Sequence, residues 1–389
     1  MKILHVIPSI SPLRGGPSAA VLDMVSALRS NGVDASILTT NDHGPATDPS
    51  MPLGRWCERS GVPVLAFPRW SPPLRLLREF ALSPALNRWL AAHQHDYDLL
   101  HVHALFSWPS STAMAQARFA HVPYVLSTIG QLNRWSLSRS PWRKRLMLAL
   151  IDRRNLNRAA CLHFASAAER DQAAHLRLVS ADVVIPLGVT LPPEVPPPAL
   201  RPSGAETRFL FLSRLHPKKQ IESLLEALAL VDRQRPSAAW RLGIAGNAEP
   251  AYLQHLRRRA DRLGIAHRCD WLGFLDGEAK WHALQAADWF VLPSASENFG
   301  IAAIEALAAG TPPILSPDVA VSEAIAAAGA GLVVSADPAQ LADALLHALP
   351  GPDPSMCGAA RRLADEVYSW PLIGARLKDT YMAILDGRA

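Results

Sequence analysis

The sequence predicts an α/β chain made of two doubly wound domains. Three observations predict it. Short apolar runs of strand length alternate with helical stretches along 389 residues, that length exceeds one ordinary core, and a proline-rich break separates two similar halves. At 49% hydrophobic residues, both halves have enough apolar material for a core.

In the first half, residues 2–7 read as a strand, 18–29 as a helix, and 34–39 and 64–67 as strands. Helical material over 74–92 precedes the apolar run 99–103. A small-residue helix over 110–119 follows, then strands at 124–127, 161–165 and 182–185. Strands separated by helices imply a mainly parallel sheet covered on both faces. From Pro186 to Glu206 seven residues are proline, and Pro196-Pro197-Pro198 can lie in neither a central strand nor a helix interior. The expected division is therefore residues 1–186, a linker at 187–206, a second domain at 207–369 and a closing helix at 370–389. In the second half, strands are expected at 209–212, 240–245, 271–274, 289–292, 313–315 and 332–334, with helices at 221–231 and 252–263. Ligands of such sheets bind outside the carboxyl ends of the strands, so two such domains facing each other would enclose a cleft.

The segment 293–312 joins a buried strand to a helix through a short polar turn. Gly300 falls at the junction, where a backbone without a Cβ approaches a ligand closely and the first amides of the helix suit a diphosphate. Glu297 and Glu305 suit the hydroxyl groups of a polyol, since both would repel a second anion. The other reading is a strand–turn–helix unit with a solvated Glu305. After the first strand of the second half, Arg214 offers a planar fork and Lys219 a point charge, a combination fitted to two phosphates. A surface-solvated basic cluster is the alternative. The loop has neither the glycine spacing nor GK[ST], which argues against an ATP-hydrolysing P-loop.

Gly15 and Gly16 follow the first strand of the chain and permit close backbone approach, with Ser18 as a candidate cap for the next helix. An ordinary tight turn would use the same residues. The loop lacks GxGxxG, which argues against hydride transfer. His101 and His103 share one face of a strand. No third ligand stands at a recognisable spacing, so no metal is expected. His101 reads as packed inside the sheet and His103 as projecting from its carboxyl end to donate to a substrate hydroxyl or phosphate.

Four cysteines without a CxxC pair indicate neither a disulfide scaffold nor a cysteine metal site, and fit a reducing compartment. No run reaches 18 apolar residues and the opening lacks a signal-peptide pattern, so a cytoplasmic location is expected. Net charge is only +5, and no recognition motif points to nucleic acid. The charge is uneven, however. Residues 134–158 hold eight basic side chains against Asp152 alone, with Trp135 and Trp142 among them. Such a segment suits an anionic membrane surface or a phosphorylated substrate. Alternatively it is a basic helix whose Leu and Met side chains face the core.

Taken in order, Gly15-Gly16, Asp98-Leu-Leu-His-Val-His103, Ile185-Pro-Leu-Gly-Val189, the basic loop 213–219 and the Glu297-x7-Glu305 segment resemble the family 4 retaining glycosyltransferases of the GT-B fold that build bacterial polysaccharides. The resemblance runs over nearly the whole chain. It implies a nucleotide-diphosphate sugar as donor, held mainly by the second domain, with no cofactor and no metal. The acceptor would be a glycan or a lipid-linked saccharide of exopolysaccharide or O-antigen assembly, held mainly by the first domain. Arg214 and Lys219 would neutralise the leaving diphosphate, Glu305 would bind the ribose and Glu297 the donor sugar. The backbone of Asn298, Phe299 and Gly300 would approach sugar and phosphate. Gly15 and Gly16 would close over the diphosphate, and His103 would touch the transferred sugar. The closing helix would pack back on the first domain.

Two departures stand out: Gln220 replaces the usual glycine after Lys219, and Ile129 occupies the place of a common histidine or arginine. A sugar phosphorylase, a nucleotide-sugar epimerase and a nonenzymatic nucleotide-binding scaffold share the architecture.

Overall fold

A computed structural model describes residues 1–72, 80–138, 141–192 and 205–387. The chain divides into two compact units, Met1–Gly188 with Trp370–Ala389, and Val189–Ser369. Most of the expected proline linker, 193–204, and part of the expected helical stretch at 74–92 lie outside the described residues.

The first unit is built on an eight-stranded sheet. Its strands are β1 (Lys2–Val6), β2 (Asp34–Thr40), β5 (Trp56–Arg59), β6 (Val62–Phe67), β7 (Leu99–His103), β8 (Tyr124–Ser127), β9 (Cys161–Phe164) and β10 (Asp182–Val184). They lie in the order β10-β9-β8-β7-β1-β2-β6-β5. Every pair is parallel except β5 with β6. The edge strand β5 was not expected from the sequence; its alternation of exposed and half-buried residues lacks the continuous apolar run that marks an interior strand. β3 (Asp42–His43) and β4 (Ala46–Thr47) form a small separate hairpin. Strand order reverses at β1, with β2 on one side and β7 on the other. The loops leaving these strands therefore open at a topological switch point.

The first helix spans Gly16–Ser30, two residues earlier than expected. Gly15 at φ 109° precedes it as the cap residue, so Ser18 lies inside the first turn and does not cap it. The helix Trp370–Leu385 belongs to this unit, and Asn31 Nδ2 donates to Pro371 O at 3.3 Å. Gly374 sits against Ala27, where a Cβ would come within 2.8 Å of its carbonyl oxygen. Gly188 lies against the Trp370 ring so closely that no Cβ could fit.

The second unit carries a wholly parallel sheet. Its strands are β11 (Thr207–Leu212), β12 (Trp240–Ala245), β13 (Cys269–Gly273), β14 (Trp289–Leu292), β15 (Pro313–Leu315) and β16 (Leu332–Val333), in the order β13-β12-β11-β14-β15-β16. The switch point here falls between β11 and β14. Three helices after Leu315 were not anticipated: Ser322–Ala327, Pro338–Ala348 and Pro354–Tyr368. The last two begin behind Asp337 and Asp353, whose carboxylates accept from backbone amides of the first turn, and both have proline at the first helical position. Among the described residues no helix is long and apolar enough to cross a membrane.

Candidate active site

At the switch point of the second unit, three loops are tied together by backbone hydrogen bonds. The loop after β11 is held on one side by the loop after β12, where Leu215 N donates to Asn247 O at 2.8 Å. Gly246 makes this possible: its φ is +142°, and a Cβ there would collide with the Ser213 carbonyl. On the other side Ala295 N donates to Lys218 O at 2.9 Å, binding this loop to the turn after β14. That turn is clamped in its own right. Glu297 N donates to Asp318 O at 2.9 Å, and Ala320 N donates to Glu297 O at 3.2 Å.

Within this frame Lys219 and Glu297 form an ion pair, their side chains 13% and 15% exposed. Ser294 Oγ donates to the same Glu297 oxygen at 3.1 Å. Burial pushes the Lys219 ammonium down to about 7, with the charges of Lys218 and Arg214 adding to the effect. The Glu297 carboxylate in contact works the other way, so the charge on Lys219 depends on Glu297. Arg214 is exposed. The expected basic pair is thus brought together, but with only one member solvated.

Gly300 adopts φ +94° as the residue before the helix Ile301–Ala308, and a Cβ on it would lie 2.8 Å from Val319. Both strain and space require glycine there. Phe299 is buried against Tyr368, ring centroids 5.9 Å apart, which anchors the turn from beneath. Asn298 is half-buried. Glu305 sits in the second turn of that helix, and Lys280 Nζ donates to its Oε1 at 2.7 Å. Both carboxylates expected to serve hydroxyl groups therefore engage a lysine through one oxygen. Lys280, from the helix Gly277–Ala286, was not found from sequence. No local pattern joins it to a residue 25 positions downstream.

In the first unit, His103 departs from expectation. Its place at the carboxyl end of the strand predicts projection, but it is 1% exposed and its Nε2 lies 3.0 Å from His5 Nδ1. The register explains this: β1 places His5 beside His101, and the two-residue period returns His103 to the same face. His101 and His103 stack with centroids 4.3 Å apart. His101 Nδ1 meets the Tyr381 hydroxyl at 2.6 Å, and His163 joins from β9, two strands away from β7. Burial lowers the pKa of all four imidazoles, to about 3 for His5 and about 4 for His163. For His101 and His103 the direction is the same and the cause again is burial first, then neighbouring histidines. Nitrogens of His5, His101 and His103 lie within 4.8 Å of one another, a cluster that spacing along the chain could not disclose.

Two strained turns flank this cluster. Ala104 and Phe106 have φ values of 68° and 54°, and Ile129 has φ 49°. A β-branched residue in the left-handed region is disfavoured and must be held there. Glu169 supplies the hold: it accepts from Thr128 Oγ1 at 2.5 Å, from Gly130 N and from Ala165 N at 2.8 Å. Gly15 leads into the helix at Gly16 beside Arg14, whose guanidinium makes two 2.6 Å bonds to Asp42.

The comparisons with known proteins match this division. The profile of a glycosyl transferase 4-like domain matches residues 15–188, and that of glycosyl transferases group 1 matches residues 197–364. The chain belongs to the family-4 type of GT-B glycosyltransferases. This glycosyltransferase is 28% identical over 389 residues to a phosphatidyl-myo-inositol mannosyltransferase of Mycolicibacterium smegmatis, an alignment covering 99% of the chain and 94% of the relative. It is 34% identical over 192 residues to a D-inositol 3-phosphate glycosyltransferase of Streptomyces scabiei, covering 45% of the chain and only 41% of that relative. Among solved structures, a sucrose-phosphate synthase of Thermosynechococcus elongatus superposes with a TM-score of 0.76 at 21% identity, covering 100% of both chains. Anabaena HepE, solved in complex with UDP-glucose, superposes with a TM-score of 0.71 at 19% identity, covering 98% of this chain and 100% of that one.

Proposed function

We propose that this glycosyltransferase moves a hexosyl group, with retention, from a nucleoside-diphosphate sugar to a lipid-linked saccharide or related glycan, of the kind assembled into exopolysaccharide or O-antigen. One observation carries the donor reading: Lys219, Glu297 and Glu305 converge with the left-handed Gly300 at the β11/β14 switch point. Breaking the anomeric bond leaves negative charge on the diphosphate and positive character on the sugar. Arg214 and Lys219 stabilise the first, together with the first amides of the Ile301–Ala308 helix, whose dipole favours an anion. Glu297 accepts from hydroxyls of the sugar, and Glu305 from those of the ribose. Each carboxylate lies against a lysine, and an ionised carboxylate accepts rather than donates. UDP-glucose in the HepE complex lends support to a uridine donor.

For the acceptor, the support is the surface of residues 134–158. Helices span Arg134–Ser138, Pro141–Met147 and Arg153–Leu156, the last two joined by a wide helical turn at Leu148–Asp152. Trp142, Leu146, Leu150 and Ile151 are exposed, by 69%, 52%, 71% and 43%, together with Arg145, Arg153, Arg154 and Arg158. Arg139 lies outside the described residues. Apolar and basic side chains exposed together fit peripheral contact with anionic lipid at the inner membrane face, where a lipid-linked acceptor resides.

The test is a panel of nucleotide sugars incubated with a membrane lipid extract, following nucleotide release and labelled lipid by mass. Nucleotide release that depends on the lipid supports the reading. A requirement for inorganic phosphate would turn it into a phosphorylase, interconversion of the donor without an acceptor into an epimerase, and binding without turnover into a scaffold. Transfer should survive exhaustive chelation; loss restored by one divalent ion would overturn the metal-free mechanism. Flotation with anionic liposomes that weakens with salt checks the membrane contact.

A further inference from the structure

The hydrogen bonds among the four buried histidines can be given directions, starting from one fixed end. The Ile185 carbonyl only accepts, so the 2.7 Å contact requires the proton on His163 Nε2. His163 is neutral, its Nδ1 is bare, and the 3.4 Å bond to His101 takes its proton from His101 Nε2. His101 Nδ1 is bare in turn and accepts the Tyr381 hydroxyl at 2.6 Å. This branch is consistent from the closing helix to the end of β10.

The second branch is the single 3.0 Å bond between His5 Nδ1 and His103 Nε2. One of the two nitrogens must donate. His5 Nε2 decides which, because it is buried with no hydrogen-bond partner among the described residues. A proton there would be an N–H sealed from water with nothing to receive it, whereas a bare Nε2 leaves only a lone pair unused, the less costly defect. His5 therefore carries its proton on Nδ1 and gives it to His103 Nε2. Neutral His103 then keeps its own proton on Nδ1.

We infer that His5 is a positioning residue that locks His103 as the Nδ1–H tautomer, so that His103 meets a ligand oxygen as a donor through Nδ1. The inference deepens the transferase reading, which is what gives His103 a ligand. Burial that keeps all four rings neutral agrees with it, since a second proton on His101, His103 or His163 would fall on an accepting nitrogen and reverse a bond, and one on His5 Nε2 would meet no acceptor. A divalent ion among His5, His101 and His103 would have to displace these hydrogen bonds, because Nδ1 of His5, Nε2 of His103 and both nitrogens of His101 are already engaged.

The experiment has two arms. Nitrogen-15 NMR of ring-labelled histidine, assigned by comparison with His103→Gln, reads the tautomer with no substrate present. Wild type should show His103 protonated at Nδ1 and bare at Nε2, and folded His5→Leu should lose that preference. In the kinetic arm His5→Leu should lower kcat about ten-fold, the loss of roughly one hydrogen bond, with KM for the donor nearly unchanged. His5→Asn, whose amide can donate from close to the Nδ1 position, should recover most of the rate. A wild-type His103 protonated at Nε2, a folded His5→Leu with unaltered tautomer and rate, or a stoichiometric bound metal would each overturn the inference. An Nδ1–H signal in a protein that turns over no donor would support the tautomer assignment and sink the transferase reading instead.

Discussion

In the loops after β11 and β14 the ionisable side chains include an ion pair, Lys219 with Glu297, and an exposed arginine, Arg214. Between β1 and β9 they are neutral, hydrogen-bonded in series and shut from solvent. The first arrangement can receive a charged ligand, because an ion pair such as Lys219 with Glu297 can exchange one partner for a phosphate or a hydroxyl. The second cannot take up charge without breaking, so it can only orient. Within one chain, then, an arrangement built on Coulomb attraction coexists with one built on the fixed direction of a hydrogen bond.

The largest effect that would break this comparison is acid. The imidazoles have folded pKa values depressed below their unfolded value near 6.5, to about 3 for His5 and about 4 for His163. Above pH 6.5 neither state binds protons at these sites and stability is level. As pH falls below that value the unfolded chain takes up protons that the folded chain refuses, and stability declines by about 1.4 kcal/mol per pH unit for each such histidine. Between pH 6.5 and 4 the first unit should therefore lose stability steeply. Hydrogen exchange at pH 7 and pH 5 checks it: amides of β7 should lose protection more than those of β14, and equal losses would refute the contrast.

Next in size is Lys219→Ala, which removes a charged hydrogen bond and leaves Glu297 in a largely buried place without its cation. A cost of about 1.5–3 kcal/mol in transition-state stabilisation, roughly 10- to 150-fold in kcat/KM, is expected from steady-state kinetics. Glu297→Gln sharpens the same point, since withdrawing the carboxylate should move the alkaline limb of the pH–rate profile to lower pH. An unmoved limb would show that Lys219 holds its charge without Glu297.

Tyr381→Phe should cost about 1–2 kcal/mol of stability, because His101 Nδ1 would be left buried with no donor. Denaturant titration reads the loss, while affinity for a nucleoside diphosphate should stay at the wild-type value. Smallest is Lys280→Ala. Its pair with Glu305 is partly solvated, so stability should change by less than about 1 kcal/mol, with nucleoside affinity shifting only slightly by calorimetry. Glu305→Ala, by contrast, should weaken nucleoside binding clearly.

The comparison also marks what was legible in the sequence. The turn after β14 could be read because its parts are local: strand, glycine and two carboxylates lie within one segment, and each follows from propensity and spacing. The parallel sheets were legible for the same reason, each interior strand being a short apolar run. The histidine core was not. Nothing in the sequence marks His5, because its neighbours are set by strand register, and spacing tells which face His103 takes but not what covers that face. Tyr381 completes the cluster from 280 residues away. Lys280 and Glu169 escaped notice likewise, since a lysine or glutamate in a helix carries no local mark of the carboxylate or the strained loop it serves.

The position of the Trp370–Leu385 helix bears on how the protein is made. The ribosome delivers the whole sheet of the first unit before residue 189, yet the Tyr381 hydroxyl that satisfies His101 and the glycine that packs against Ala27 arrive only after residue 369. The second unit, continuous from Val189 to Ser369, is fully synthesised in between. Vectorial synthesis therefore inverts the usual order in which N-terminal domains finish first. The later unit can close while the earlier one still waits for the Trp370–Leu385 helix, with its histidine core short of one donor until Tyr381 has been made.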